Sequence, residues 1–278
     1  MSGDARADAS RASFSVLPVT HEHLLHLATI VIQKKGGMVI TGAGGTGKSV
    51  FVTQLMQHLD TFDDDDPFAF DPVAPRLITA TTSKAALQLG VAATTLHSAL
   101  GLGCEVGTVG DALHKISSNA GMLKQLTSCS MLLIDEASML QASTLARVNC
   151  ILQQVRGSPN FFGGVPVILL GDFFQLGPVS DKPRYCFEMA NFHRAFPVRV
   201  SLTKNLRQST DPEYATLLDA LRRNVNVQDT LHKLRHMHEN PPAWKDAKWV
   251  RACVRACVRA CVRACVCASL SAIPFQRA

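Results

Sequence analysis

Gly42-Ala43-Gly44-Gly45-Thr46-Gly47-Lys48-Ser49 decides how the rest of this chain is read. An apolar run, Met38-Val39-Ile40-Thr41, precedes it, and Val50 to Met56 follows with helix-compatible residues. The stretch therefore reads as a phosphate-binding loop between a buried strand and the positive end of a helix, where backbone N–H groups can wrap an anion. The glycines at 42, 44, 45 and 47 permit the turn and a close backbone approach. Lys48 reaches toward β and γ phosphates, and the Ser49 hydroxyl suits a magnesium ion. All eight residues, Ala43 and Thr46 included, are expected to line a site for ATP with Mg²⁺.

Working outward, the apolar runs alternate with helical patterns. Leu77-Ile78-Thr79-Ala80 reads as a strand and Ser83 to Leu89 as a short helix. Met131-Leu132-Leu133-Ile134 is a third strand, ending in Asp135-Glu136. A helix then carries Leu145, Val148, Leu152 and Val155 on one face, with Gly157 as its stop. Val167 to Leu170 is a fourth strand, ending in Gly171-Asp172. Continuously apolar strands alternating with helices imply an α/β fold with a mostly parallel sheet covered on both faces. In such sheets ligands sit beyond the carboxyl ends of the strands, which is where every polar motif here falls.

The strand ends supply the chemistry. Asp135 is placed to hold Mg²⁺ directly or through water, and Glu136 to orient the attacking water of phosphoryl transfer. Gln175, three residues past Asp172, offers an amide near the γ-phosphate. The scattered Cys104, Cys129, Cys150 and Cys186 lack paired spacing and read as reduced thiols. Four adjacent carboxylates, Asp63 to Asp66, read as a solvated loop. No apolar run approaches the length of a membrane span, so no membrane partner is expected.

Taken together, the phosphate loop, Thr95-Leu96-His97-Ser98, Ile134-Asp135-Glu136-Ala137-Ser138-Met139 and Gly171-Asp172-Phe173-Phe174-Gln175-Leu176 resemble one family. It is the Pif-type (petite integration frequency) DNA helicases, near the RecD branch of superfamily-one helicases. The resemblance spans roughly residues 20–225. It implies a RecA-like P-loop NTPase lobe over 19–203 and the start of an incomplete second lobe over 204–248. ATP-driven 5′→3′ movement on single-stranded DNA is implied too, with roles in DNA repair, recombination and telomere maintenance. Gln175 becomes a γ-phosphate sensor, and Arg207, in Leu206-Arg207-Gln208, approaches the phosphates. Thr81, Thr82, Lys84, His97 and Ser98 would face the DNA through contacts that read no sequence. A monomer is expected, residing inside the cell in the nucleus or mitochondrion. Two departures stand out. His23 occupies the place where the family usually carries an adenine-reading glutamine, and the family's later motifs have no counterpart. A small-molecule or nucleotide kinase is the competing P-loop reading, and a nucleotide-binding remnant without unwinding activity is a third.

The two ends of the chain read differently. Residues 1–18 suggest a disordered leader. From Arg251 the unit Arg-Ala-Cys-Val repeats four times within the segment 249–278. Its four arginines account for most of the net charge of +6, leaving +2 without them, so bulk charge says little about nucleic acid. A helix would stack those arginines at i,i+4, and a strand would have no partner. The codons CGT-GCG-TGC-GTG encode this unit and are the four-base word CGTG repeated, so slippage and a shifted frame account for it, with disorder the structural expectation. Deleting residues 251–278 should leave folding and ATP binding as in the full chain, measured by thermal unfolding and nucleotide titration; loss of either rejects this reading of the tail.

Overall fold

A computed structural model describes residues 20–61, 74–90, 93–103, 107–206 and 212–239. The leader, the acidic Asp63–Asp66 loop, Cys104, Arg207 and the repeat tail lie outside these residues.

The chain opens with α1 (His21–Gln33), β1 (Gly37–Gly42) and α2 (Lys48–Asp60). There follow β2 (Arg76–Ala80), α3 (Ser83–Gln88), β3 (Thr94–Thr95) and α4 (Leu96–Ala99). Two short helices, α5 (Val109–Ser117) and α6 (Ala120–Thr127), lead into β4 (Met131–Asp135) and the long α7 (Ala142–Arg156). Next come β5 (Val167–Gly171), α8 (Phe192–Ala195) and β6 (Val198–Leu202). The last described elements are α9 (Pro212–Arg222) and α10 (Val227–Glu239).

The six strands form one sheet in the order β3-β2-β4-β5-β1-β6, and every strand pair is parallel. β1 is flanked on both sides, with Val39 paired to Leu169 of β5 and to Arg199 of β6. Side chains alternate between the faces. Val39, Leu132, Ile134, Val167 and Leu169 enter a core with α4 to α8. Met38, Ile40, Leu133, Ile168 and Leu170 enter a second core with α1, α2 and α3. Both faces are therefore covered, which is why β1, β4 and β5 are apolar at consecutive positions. The strands expected from such runs are present. β6 is different: Val198, Val200 and Leu202 are more buried than Arg199 and Ser201, the alternation of an edge strand.

Helix ends follow their sequence signals. Thr20, Thr82, Thr95, Thr108 and Asn119 each cap a helix by accepting a hydrogen bond from a backbone N–H in its first turn. Gly157 ends α7 in the left-handed region, φ 60°. α1 ends with the same backbone device built on a lysine. The Lys35 N–H bonds to Ile32 O and the Gly36 N–H to Val31 O, with Lys35 at φ 52°. Glycine is the usual occupant of that position, and a side chain there costs about 1 kcal/mol.

Compact packing separates residues 18–211 from a unit that includes α9 and α10. The sequence reading ends the first lobe at 203, yet the Leu206 N–H donates to Gly45 O at 2.8 Å, which holds residues 204–206 to the phosphate loop. In the second unit Leu217 and Leu221 of α9 pack with Leu234 of α10. Both helices lie within the 204–248 segment that the resemblance marks as the start of a second lobe.

Leu169 sits at the centre of the sheet with no exposed surface. Leu169→Ala should cost about 3 kcal/mol from lost burial and the cavity left behind; an unfolding midpoint unchanged in denaturant titration would contradict this packing.

Candidate nucleotide-binding site

The loop after β1 is shaped by its own backbone. Gly47 lies in the left-handed region at φ 92°, and a side chain there would run into the His21 ring at 2.9 Å and Leu206 at 3.1 Å. A Cβ on Gly42 would meet Thr46 Oγ1 at 2.6 Å. Glycine is therefore required at both. Thr46 is buried, with its hydroxyl donating to Ala43 O at 2.8 Å. Lys48, at the start of α2, brings its ammonium within 2.7 Å of Gly42 O and 3.1 Å of Ala43 O. Ser49 is exposed in the first turn of α2.

Neighbouring strand ends bring the carboxylates to this loop. Asp135 closes β4 and is buried, accepting a 2.8 Å hydrogen bond on Oδ1 from the Glu136 N–H. Glu136 has the uncommon left-handed backbone, φ 55°, which lets the chain turn immediately after the strand. Asp172, at the end of β5, is almost wholly buried, and its backbone carbonyl accepts from the Gln175 N–H at 2.9 Å. The Gln175 amide nitrogen in turn lies 3.7 Å from where a Cβ on Gly44 would stand. Lys48, Asp135, Glu136, Asp172 and Gln175 thus lie together around the loop, at the carboxyl ends of β4, β5 and β1.

Burial pushes the Asp135 carboxyl above the usual carboxylate range, opposed by its bond from Glu136 and by the Lys48 charge. Burial also raises Glu136, with further pushes from Asp135 and Asp172 and an opposing pull from Lys48. Desolvated carboxylates beside the Lys48 ammonium suit a divalent cation bound with phosphates. Among the described residues no group of three or more His, Cys, Asp and Glu side chains could hold a metal alone. Ser49 and Asp135 are the side chains here that could hold a magnesium ion together with nucleotide and water oxygens.

The remaining candidates lie beyond β2 and β3. The Thr81 hydroxyl donates to Glu136 O at 3.1 Å, and its N–H donates to Asp135 O at 3.2 Å. Lys84 is exposed on α3, and Thr82 is the cap of that helix. His97 is half-buried on α4, while the exposed Ser98 accepts a 2.8 Å hydrogen bond from Thr95 Oγ1. Thr81, Lys84, His97 and Ser98 thus share one end of the sheet. His23, the residue in the glutamine's place, is exposed and bonded to Thr20. Its neighbour His21 is the residue nearer the loop, with its Nδ1 2.9 Å from Gln54 Oε1 of α2. Sequence reasoning did not single out His21, Gln54 or Asn205, whose amide donates to Gly44 O at 3.4 Å across 161 positions. No local pattern marks such partners. Asp172 was legible as a second strand-end carboxylate but had no role assigned.

A family model described as PIF1-like helicase matches residues 20–227. The chain belongs to the PIF1-like helicase family. It is 30% identical over 242 residues to the ATP-dependent DNA helicase RRM3 of Saccharomyces cerevisiae, covering 85% of this chain and 32% of that protein. Against the ATP-dependent DNA helicase PIF1 of Homo sapiens the identity is 32% over 212 residues, covering 74% and 31%. The crystal structure of Pif1 helicase from Candida albicans superposes with a TM-score of 0.68 at 28% identity, covering 80% of this chain and 48% of that one. Pif1 helicase from Bacteroides in complex with ADP-AlF3 and ssDNA gives 0.61 at 25%, covering 82% and 52%. The chain thus spans about a third of the curated relatives. Family membership sets aside the kinase reading.

The raised carboxyls have a consequence for stability. The folded chain holds these protons more tightly than the unfolded one, so ligand-free stability falls as pH rises through the ordinary carboxylate range. Asp135→Asn keeps an acceptor for the Glu136 N–H and removes the buried charge. Its melting temperature at neutral pH should rise by a few degrees, with a flatter pH dependence; a lower melting temperature would show that Asp135 is stabilised as a carboxylate.

Proposed function

We propose that residues 20–206 form the ATP-binding and ATP-hydrolysing motor lobe of a DNA helicase that moves along single-stranded DNA. The observation that carries this reading is the convergence of Lys48, Asp135, Glu136 and Gln175 at one glycine-rich loop. In this reading the loop N–H groups and Lys48 grip the β and γ phosphates, and Ser49 and Asp135 bind Mg²⁺, which supplies charge neutralisation at the transferring phosphoryl group. Glu136, kept basic enough by its desolvated setting, orients and deprotonates the attacking water. Gln175, next to Gly44, senses the γ-phosphate, and Arg207 approaches the phosphates from the following segment.

The DNA face in this proposal comprises Thr81, Lys84, His97 and Ser98. Thr81 gives that face a direct link to hydrolysis, because its hydroxyl and N–H hold the backbone of Glu136 and Asp135. A strand that shifts Thr81 shifts the water-orienting carboxylate. The relatives are named ATP-dependent DNA helicases, and one structural neighbour was solved with ADP-AlF3 and ssDNA; both support the reading. Translocation, its 5′→3′ direction and work in repair, recombination and telomere maintenance in nucleus or mitochondrion belong, in this proposal, to the full-length protein. This lobe acts within it as a monomer.

Two substitutions test the lobe itself. Lys48→Ala should lower ATP affinity or turnover by about 100-fold. Glu136→Gln should keep ATP affinity within a few-fold and lower hydrolysis by about 100-fold or more. Equal binding and turnover in Lys48→Ala and parent, measured by nucleotide titration and phosphate release, would reject the assignment.

A further inference from the structure

The sheet has a second polar feature at the opposite end from the phosphate loop. A cavity of about 410 Å³ opens there, lined among others by Lys34, Lys35, Phe161, Phe162, Arg194 and Pro197. β1 separates the two ends by roughly 17 Å at 3.3 Å per residue, so this cavity is not an extension of the nucleotide site. No carboxylate lines it. Lys34, Lys35 and Arg194 are all exposed, and among the described residues none is drawn into an ion pair.

The cavity's wall is built rather than incidental. The short turn that presents Phe161 has left-handed backbone at Phe162, Gly163 and Gly164. It is pinned by Asn149, whose Oδ1 accepts from the Phe162 N–H at 2.7 Å, and by Arg156, whose Nε donates to Gly163 O at 3.0 Å. Phe162 is buried against Phe196, while Phe161 remains 36% exposed. Lysines at the end of α1 complement the helix dipole. The dipole does not account for Arg194 from another helix, for the exposed ring, or for a lysine rather than glycine at the left-handed position 35.

We propose that this cavity grips one nucleotide of a single-stranded nucleic acid, with Lys34, Lys35 and Arg194 on its phosphates and its base against Phe161. The combination of unpaired cations and an aromatic platform is the chemistry of sequence-independent strand binding. The volume holds a nucleotide, and an exposed ring gives a base a flat partner that an acidic peptide does not need. The site would be a second strand contact, remote from Thr81, Lys84, His97 and Ser98. It rests on the reading of this chain as a DNA-directed motor lobe.

The test uses the full chain and a fluorescent oligothymidine of about 30 nucleotides, titrated by anisotropy over a range of salt. Combined Lys34→Gln, Lys35→Gln and Arg194→Gln should weaken binding about tenfold and reduce the log–log salt slope by about 1.4, as expected when the two phosphates flanking one nucleotide of a single strand lose their cations. ATP affinity should be unchanged. Lys35→Gly should raise the melting temperature while weakening binding, a pairing that a merely structural role for Lys35 does not produce. Phe161→Leu should weaken oligothymidine but not an abasic phosphodiester of the same length. Parent-like affinity and slope in the triple variant would overturn the proposal. So would polyglutamate binding that depends on the three cations while oligothymidine binding does not, since the pocket would then take acidic peptide. Loss confined to Lys84→Ala with His97→Ala would reject this cavity and leave the motor-lobe reading standing. Undiminished ATP binding and turnover in Lys48→Ala would instead reject that reading.

Discussion

The parallel pairing of β1 with β5 on one side and β6 on the other determines where the glycine-rich loop leaves the sheet. A phosphate cradle works only if its N–H groups already point at one spot, because ordering the loop at the moment of binding would cost conformational entropy. Here the loop is braced from three directions. Thr46 closes it internally, Leu206 and Asn205 hold it from the segment after β6, and His21 lies against Gly47 from α1. The same pairing puts the ends of β4 and β5, and so Asp135, Glu136 and Asp172, beside Lys48.

Those carboxylates are a concentration of unfavourable charge. Burial raises both Asp135 and Glu136, and Lys48 offsets the cost only in part. The charged form of these carboxyls is therefore destabilising in the folded chain. Hydrophobic burial in the two large cores on either side of the sheet offsets it. The buried thiols fit the same picture: burial pushes Cys129 up to about 11 and Cys186 to about 12, so neither is a reactive thiolate.

Thr81 occupies the position from which a contact at the end of β2 reaches the backbone of Asp135 and Glu136. Its two hydrogen bonds to the Asp135-Glu136 backbone cross from β2 to β4, adjacent strands in the sheet. A link of two bonds through neighbouring strands is short and stiff, the kind of element through which occupancy at one site can bias another. The basic cavity at the far end of the sheet lacks such a link.

The sequence alone determined the phosphate loop, the strands β1, β2, β4 and β5, the stop of α7 at Gly157 and the strand-end placement of Asp135, Glu136 and Gln175. These are legible because a buried parallel strand must be apolar on both faces, and a phosphate loop needs glycine at defined positions. β6 escaped that rule because an edge strand alternates, as Val198-Arg199-Val200-Ser201-Leu202 does, and β3 is only two residues long. α10 carries Val227, Leu231, Leu234 and Met237 at helical spacing, and among the described residues they pack with α9. Only the tertiary structure decided that His21 rather than His23 lies by the loop, that Thr81 bonds to Glu136, and that Lys34, Lys35, Arg194 and Phe161 share a cavity. Such neighbours are set by strand order and crossover, which bring together residues dozens to more than a hundred positions apart, and no local spacing encodes that.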